Sequence, residues 1–343
     1  MTASTRWLLA STLLISLLSL FIGAGDVDPI TLLMGDTHAQ VLFLESRLPR
    51  LLAVLCTGAG MSIAGLIMQQ LCANKFVSPT TGATLQSAQL GILLSLLFLP
   101  DSTLWDRAIF AFIAAMIGTW VFVGFVLRMQ VKDVMLVPLI GIMFGNVITG
   151  LTGFLAHRFD MTQAMSSWSV GHFSMVMAGR YELVWIALPL IVLAFVFARH
   201  FNIVGMGREI SQGLGLSYAR LLFLGLTIAA MITAAIVTVV GSISYIGLII
   251  PNLVALFKGD DLRGTLPDTA LAGALFVLIC DLIARTIVAP FELPIELIVG
   301  IVGSAIFIVL ILRRLRQGRQ AVRWSNLRRL FNATKPTCEG ARS

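Results

Sequence analysis

The apolar residues of this 343-residue chain gather into long unbroken runs, and that feature restricts the fold more than any other. The runs extend over roughly 17–25 residues, the length at which a helix crosses a hydrocarbon core of about 30 Å. Inside lipid every backbone N–H and C=O must be paired within the protein, so only helices or closed barrels can span. Barrel strands read as alternating apolar and polar residues, and these runs do not alternate. Charged residues make up 12% of the chain and apolar residues 58%; soluble domains carry about a quarter charged. Mean hydropathy is +0.94. The expected class is an all-α polytopic membrane protein.

About ten spanning helices are expected, near 7–23, 51–71, 85–99, 108–127, 136–156, 183–197, 221–240, 246–257, 266–283 and 297–312. Arg6 followed by an apolar stretch has the outline of a signal peptide. That stretch is long enough to span, and Gly23-Ala24-Gly25 is weak cleavage chemistry, so a retained first helix is the expectation. The eighth segment is short, and its Pro251-Asn252 pair predicts a break or tilt. The chain thus divides into a transmembrane domain, 1–312, and a basic tail, 313–343.

An even number of spans puts both termini on one side, and the positive-inside rule chooses which. With the N-terminus inside, internal segments hold Arg6, Lys75, Arg128, Lys132, Arg199, Arg208, Arg220, Lys258, Arg263 and the tail. External segments keep Arg47, Arg50, Arg107, Arg158, Arg180 and Arg285 beside most of the acids, among them Asp26, Asp28, Asp101 and Asp106. Both termini are therefore expected in the cytoplasm. The pI near 9.7 comes from this orienting charge, not from a patch arranged for nucleic acid, which is excluded as a partner. Cys56, Cys72, Cys280 and Cys338 lack metal-knuckle spacing and read as small fillers, with no disulfide framework.

Two loops depart from plain linkers. The stretch after the fifth helix, 157–180, holds Trp168, His172 and several methionines, and predicts a short interfacial helix. The internal stretch 199–220 is too polar to span; the glycines of its part 205–220 punctuate two short helical pieces, which predicts a small cytoplasmic hairpin.

The chemistry of the chain is largely that of packing. Gly58-x-x-x-Ser62, Gly60-x-x-x-Ala64, Gly141-x-x-x-Gly145 and Gly300-x-x-x-Ser304 allow close backbone approach. Asn146 and Asn252 are polar groups at membrane depth, expected to face the interior or a cavity, as helix glue or as pathway residues. Asp281 and Arg285 stand i,i+4 near one helix end, as an ion pair facing the bundle or as functional groups. No phosphate-binding G-x-x-x-x-G-K-[ST], H-E-x-x-H, C-x-x-C or G-x-S-x-G occurs, so no catalytic residue, metal or cofactor is assigned. A secondary transporter, the rival class, needs membrane-embedded carboxylates for ion coupling; the nearby acids Asp133, Asp268 and Asp281 all lie toward helix ends.

Several stretches together carry a resemblance. They are Arg47-Leu-Pro-Arg50 running into Gly58 to Gln70, then Asn74-Lys-Phe-Val-Ser-Pro-Thr-Thr-Gly82, Val239 to Asn252, Asp281-Leu-Ile-Ala-Arg285 and Glu292-Leu-Pro-Ile-Glu to Gly303. In order and spacing they resemble the FecCD-type permeases of ABC importers for iron-siderophores and cobalamin. The resemblance implies ten helices per subunit, a second permease subunit (identical or not), ABC ATPase subunits, and a periplasmic or lipid-anchored binding protein. It implies a bacterial cytoplasmic membrane location. Arg47, Arg50 and Arg285 would dock the binding protein; Asn74 and Phe76 would narrow the cytoplasmic end of the pathway. Gly205, Arg208, Glu209, Gly213, Leu214 and Gly215 would couple to the ATPase. Asn252 stands where such permeases usually have His, and Lys75-Phe76 replaces a Pro-Leu pair. The run from Asn74 is similar to the subgroup for catecholate-type ferric siderophores, which implies that substrate, with cobalamin or haem as the alternative.

Overall fold

The computed structural model describes residues 3–23, 36–129, 136–179, 181–259, 261–289 and 291–312. The basic tail 313–343 with Cys338, together with Asp26, Asp28, Lys132, Asp133 and Arg180, lies outside the described residues. Among the described residues there is no strand.

The helices are α1 Ala3–Phe21, α2 Thr37–Leu42, α3 Leu48–Leu71, α4 Thr84–Phe98, α5 Leu104–Met129 and α6 Leu136–Arg158. They continue as α7 Thr162–Ser169, α8 Ala187–Gly205, α9 Arg208–Gly213, α10 Tyr218–Val240, α11 Ile246–Lys258, α12 Leu262–Thr286 and α13 Ile295–Leu312. Each of the ten apolar segments coincides with a helix. Among the described residues, eight helical stretches are long and apolar enough to cross a membrane; α4 and α11 are shorter. The helix expected in 157–180 is α7; of the two short pieces expected in the hairpin one forms, α9, and the chain then enters the long α10.

The bundle is built around α3. Its spanning window is 78% buried within the chain, against 22% for α1 and α6, so α3 is the axis and those two are peripheral. Glycine makes this burial possible. A Cβ on Gly58 would lie 2.7 Å from the Gly273 carbonyl carbon, so α3 and α12 touch backbone to backbone. On another face, Gly60 receives Ile232 and Ile236 of α10. Near its far end Gly65 meets Gly247 of α11, where a Cβ would lie 2.5 Å from the Gly247 carbonyl carbon. Between apolar helices in lipid, such van der Waals contact is a main source of association.

Pro251 leaves α11 continuous instead of breaking it. Proline has no N–H for the carbonyl four residues back, here Gly247 O. That oxygen instead accepts from Gln69 Nε2 of α3 at 3.1 Å. The tilt expected at Pro251 is thus taken up by a side chain from the neighbouring helix, a substitution that membrane helices commonly use.

Candidate functional site

Apart from Asn146, the expected site residues fall toward the two ends of α3. Arg50 and Gln70 are twenty positions apart, about 30 Å along a helix, which matches the apolar thickness of a bilayer.

At the first end, a π-helical turn Phe43–Arg47 leads from α2 into α3, and Pro49 sits in the first turn, where its missing N–H costs nothing. Arg47, Arg50 and Arg285 come together here and are 7%, 9% and 5% exposed, so they are buried rather than reaching out to water. Arg50 donates to Asp281 from Nε and a terminal nitrogen, at 3.3 and 2.9 Å, and to both Glu292 oxygens at 2.8 and 2.9 Å. Arg285 pairs with the other oxygen of Asp281, the i,i+4 bridge read from the sequence. Arg285 also donates to Ser19 Oγ at 2.7 Å and to Ile22 O at 3.0 Å, while Arg47 donates to Ile22 O at 2.8 Å. One carboxylate, Asp281, therefore joins α3 to α12, and the arginines tie both to the end of α1. Breaking one member of such a buried set costs about 3–5 kcal/mol. The second buried acid, Asp268, pairs with Lys258. Among the described residues, the two acids weighed for ion coupling, Asp268 and Asp281, are thus each paired with a cation.

At the other end, α3 stops because Ala73 takes a left-handed conformation, φ 46°, and Asn74 N turns back to Gln69 O at 2.9 Å. Asn74 is buried; its Oδ1 accepts from Phe76 N at 2.9 Å, closing a tight turn. Asn252 Nδ2 donates to Lys75 O and to Leu248 O, both at 2.7 Å, so Asn252 fastens this turn to α11. Phe76 stands edge-on to Phe307 of α13, centroids 6.3 Å apart. Burial pushes the Cys72 thiol up to about 12. Ala83, φ 60°, begins α4 and closes the segment with a second left-handed non-glycine residue.

Beside this turn, α8 ends at Gly205 and the hairpin follows. Gly207 and Gly215 have φ of 110° and 76°, conformations that favour glycine, and they bracket the short α9. Arg208, Glu209, Gly213 and Leu214 are all exposed, and Ile210 and Leu214 present apolar side chains outward. Asn146 is exposed on α6, outside this chain's own core. Arg107 lies over the Trp168 ring, 5.8 Å from its centroid, at the rim of a cavity of about 400 Å³ that also includes His172.

Glu292, Gln69, Gln70 and Asn202 were not singled out by sequence. Glu292 stood in a quoted stretch without a role, and its place opposite Arg50 depends on residues 242 positions apart. For Gln69 a signal existed: a proline within an apolar helix requires a foreign donor for one carbonyl.

A helical bundle with a buried arginine cluster at one end and a strained turn beside an exposed hairpin at the other defines a polytopic membrane protein with two specialised faces. The chain belongs to the FecCD transport family, which matches residues 11–313. It is 43% identical to the petrobactin import system permease protein YclN of Bacillus subtilis over 310 residues, 90% of this chain and 98% of that one. It is 39% identical to the ferric-anguibactin transport system permease protein FatD of Vibrio anguillarum over 295 residues, 86% and 94% of the two chains. A solved metal-chelate type ABC transporter in an inward-facing conformation shares the fold, with TM-score 0.76 at 23% identity, covering 90% of this chain and 98% of that one.

Proposed function

We propose that this chain is the membrane-spanning permease subunit of an ABC importer that moves a ferric siderophore across a bacterial cytoplasmic membrane. The observation that carries the reading is the near full-length similarity to permeases named for petrobactin and anguibactin. The two-ended arrangement of α3 supports it. Charge asymmetry puts the arginine end outside and the hairpin inside. The arginine end then meets an acidic face of a binding protein, which exchanges with Glu292 for Arg50. The hairpin, with Ile210 and Leu214 outward, enters the ATPase partner, and the turn at Asn74 and Phe76 is the inner gate. A second permease subunit covers the exposed face of α6, where Asn146 lies and where Gly150 and Gly153 have open space beside them. ATP hydrolysis belongs to the ATPase chains.

The test is uptake of ⁵⁵Fe-petrobactin by cells whose own permease genes are deleted and replaced by this chain with its ATPase and binding protein. Ferric anguibactin, ferric citrate, haem and cobalamin serve as competitors. Iron uptake that unlabelled siderophore suppresses and cobalamin does not is the expected result; inhibition by cobalamin or haem alone would overturn the substrate assignment. Orientation is tested separately with an impermeant thiol reagent. A cysteine at position 168 reacts from outside and one at 208 does not; the reverse pattern inverts the topology.

A further inference from the structure

We propose that Gln70, Asn202 and Asp261 are positioning residues that link the hairpin to the gate turn, so that hairpin displacement reaches Asn74 through their side-chain contacts and then through the backbone that ends α3. The proposal rests on the reading of the hairpin as the ATPase contact and of the turn as the gate.

The hairpin has a buried anchor. Ser211 of α9 is fully buried, and its Oγ donates to Gly207 O at 2.7 Å and to Ile203 O at 3.2 Å, fastening α9 to the last turn of α8. Movement of the hairpin therefore carries the end of α8 with it. That end rests on Gln70. A Cβ at Gly205 would lie 2.5 Å from Gln70 Nε2 and 2.8 Å from Gln70 O, so only glycine permits this approach. The same Nε2 donates to Asn202 Oδ1 at 3.1 Å, and Asn202 Nδ2 donates to Asp261 Oδ1 at 3.1 Å. Asp261 precedes α12 and accepts from Thr265 N on its own carbonyl at 3.0 Å. Three helices, α3, α8 and α12, are thus joined at one point by amide and carboxylate groups.

From Gln70 the path to the turn is backbone alone. Ala73 N donates to Gln70 O at 3.2 Å and Asn74 N to Gln69 O at 2.9 Å, so the turn hangs from the last carbonyls of α3. Two features allow it to move. Ala73 holds a backbone conformation that L residues disfavour, a reservoir of strain released by rearrangement. A cavity of about 250 Å³ bordered by Gln69, Gln70, Asn74, Lys75, Gly205 and Thr265 gives the segment room, where a close-packed core would hold it. Polar groups that merely satisfy one another would leave transport per ATP unchanged when cut away without unfolding, whereas a coupling link would not. The test must separate transmission from stability.

The experiment uses the complete transporter, with ATPase and binding protein, in nanodiscs and a Lys75→Cys background. It reads ATP hydrolysis, ⁵⁵Fe-petrobactin moved per ATP, and the maleimide reaction rate at position 75 with and without vanadate trapping. The parent shows a rate at position 75 that changes on trapping. In Gln70→Ala and Asn202→Ala, hydrolysis stays within about twofold, the trapping-dependent change at position 75 disappears, and transport per ATP falls about tenfold, within the range for residues that carry coupling. Asp261→Asn, which keeps the acceptor, retains coupling, whereas Asp261→Ala loses it. A parent-like change at position 75 in both alanine variants overturns the link. So does a parallel fall of hydrolysis, transport and melting temperature, which marks a purely structural role. Leu214→Arg is the control on the underlying reading. If it leaves ATPase assembly and hydrolysis intact, the docking assignment fails and the link with it; if it abolishes assembly, only the alanine variants decide.

Discussion

The two ends of α3 hold a helix terminus by opposite chemistry. At the start the partners are ions: Arg50 and Arg285 share Asp281, and Glu292 takes the remaining side of Arg50. At the finish they are amides: Gln69 on Gly247 O, Gln70 on Asn202, Asn252 on Lys75 O. Charged pairs are strong, directional and exchangeable only for another charge. Amides both donate and accept, so they can change partners without stranding an ion in a low-dielectric interior. The ionic end suits a surface that recognises an acidic partner and keeps its shape. The amide end suits a place where the backbone must rearrange.

The sharpest attack on this contrast is at the ionic end. Arg47→Glu with Arg50→Glu removes two cations from a buried cluster and sets four carboxylates together. Uptake is expected to fall about a hundredfold, the factor that ~3 kcal/mol represents. Binding-protein association, measured by surface plasmon resonance, slows most at low salt. Acid-to-arginine changes on the binding protein restore part of the loss. A loss that no such change relieves, and that salt does not alter, would make the cluster purely structural.

The hairpin gives a smaller and graded effect. Gly215 has φ 76° and Gly213 is helical with open space around it. Gly215→Val is therefore expected to reduce transport per ATP about tenfold and Gly213→Val about twofold. Equal losses would show that surface contact, not turn shape, is what the ATPase reads.

The amide end is sharpened by a pair of changes. Gln69→Leu leaves Gly247 O without its donor and is expected to cost about 1–3 kcal/mol in thermal unfolding. Pro251→Ala in the same chain restores an N–H within α11 and recovers most of that loss. Absence of recovery would mean that Gln69 acts through packing. Weakest of all, Asn146→Leu is expected to change stability by less than about 0.5 kcal/mol, since the amide faces away from this chain's core; a larger loss would place it among the chain's own supports.

Most of the fold was legible because membrane helices declare themselves by composition. The ten apolar runs coincide with helices; most boundary errors are of a few residues, as at 108–127, which the structure extends to Leu104–Met129, but the helix expected to end at 197 runs on to Gly205, through residues expected in the loop. The arginines, the turn at Asn74 and the hairpin were found through local motifs. What escaped were partners far apart in the chain. Nothing near Arg50 announces Glu292, and Gln70 looks like any polar residue closing a helix. Small-residue spacing marked Gly58 and Gly60 as contact points but not which helix each would touch, because the same spacing serves any close crossing.

The long sequence separation between Arg50 and its acids has a consequence in time. Asp281 lies 231 residues downstream and Glu292 lies 242. At about 5–20 residues per second, the acids are synthesised roughly 12–50 s after the arginine. Through that interval the head of α3 stays at the membrane interface, where a long cationic side chain reaches water at little cost. The depth of the central helix is thus settled among the last events of biogenesis, when α12 arrives and neutralises it. A nascent chain that stops before Asp281 therefore leaves the arginine at the head of its central helix without either of its carboxylate partners.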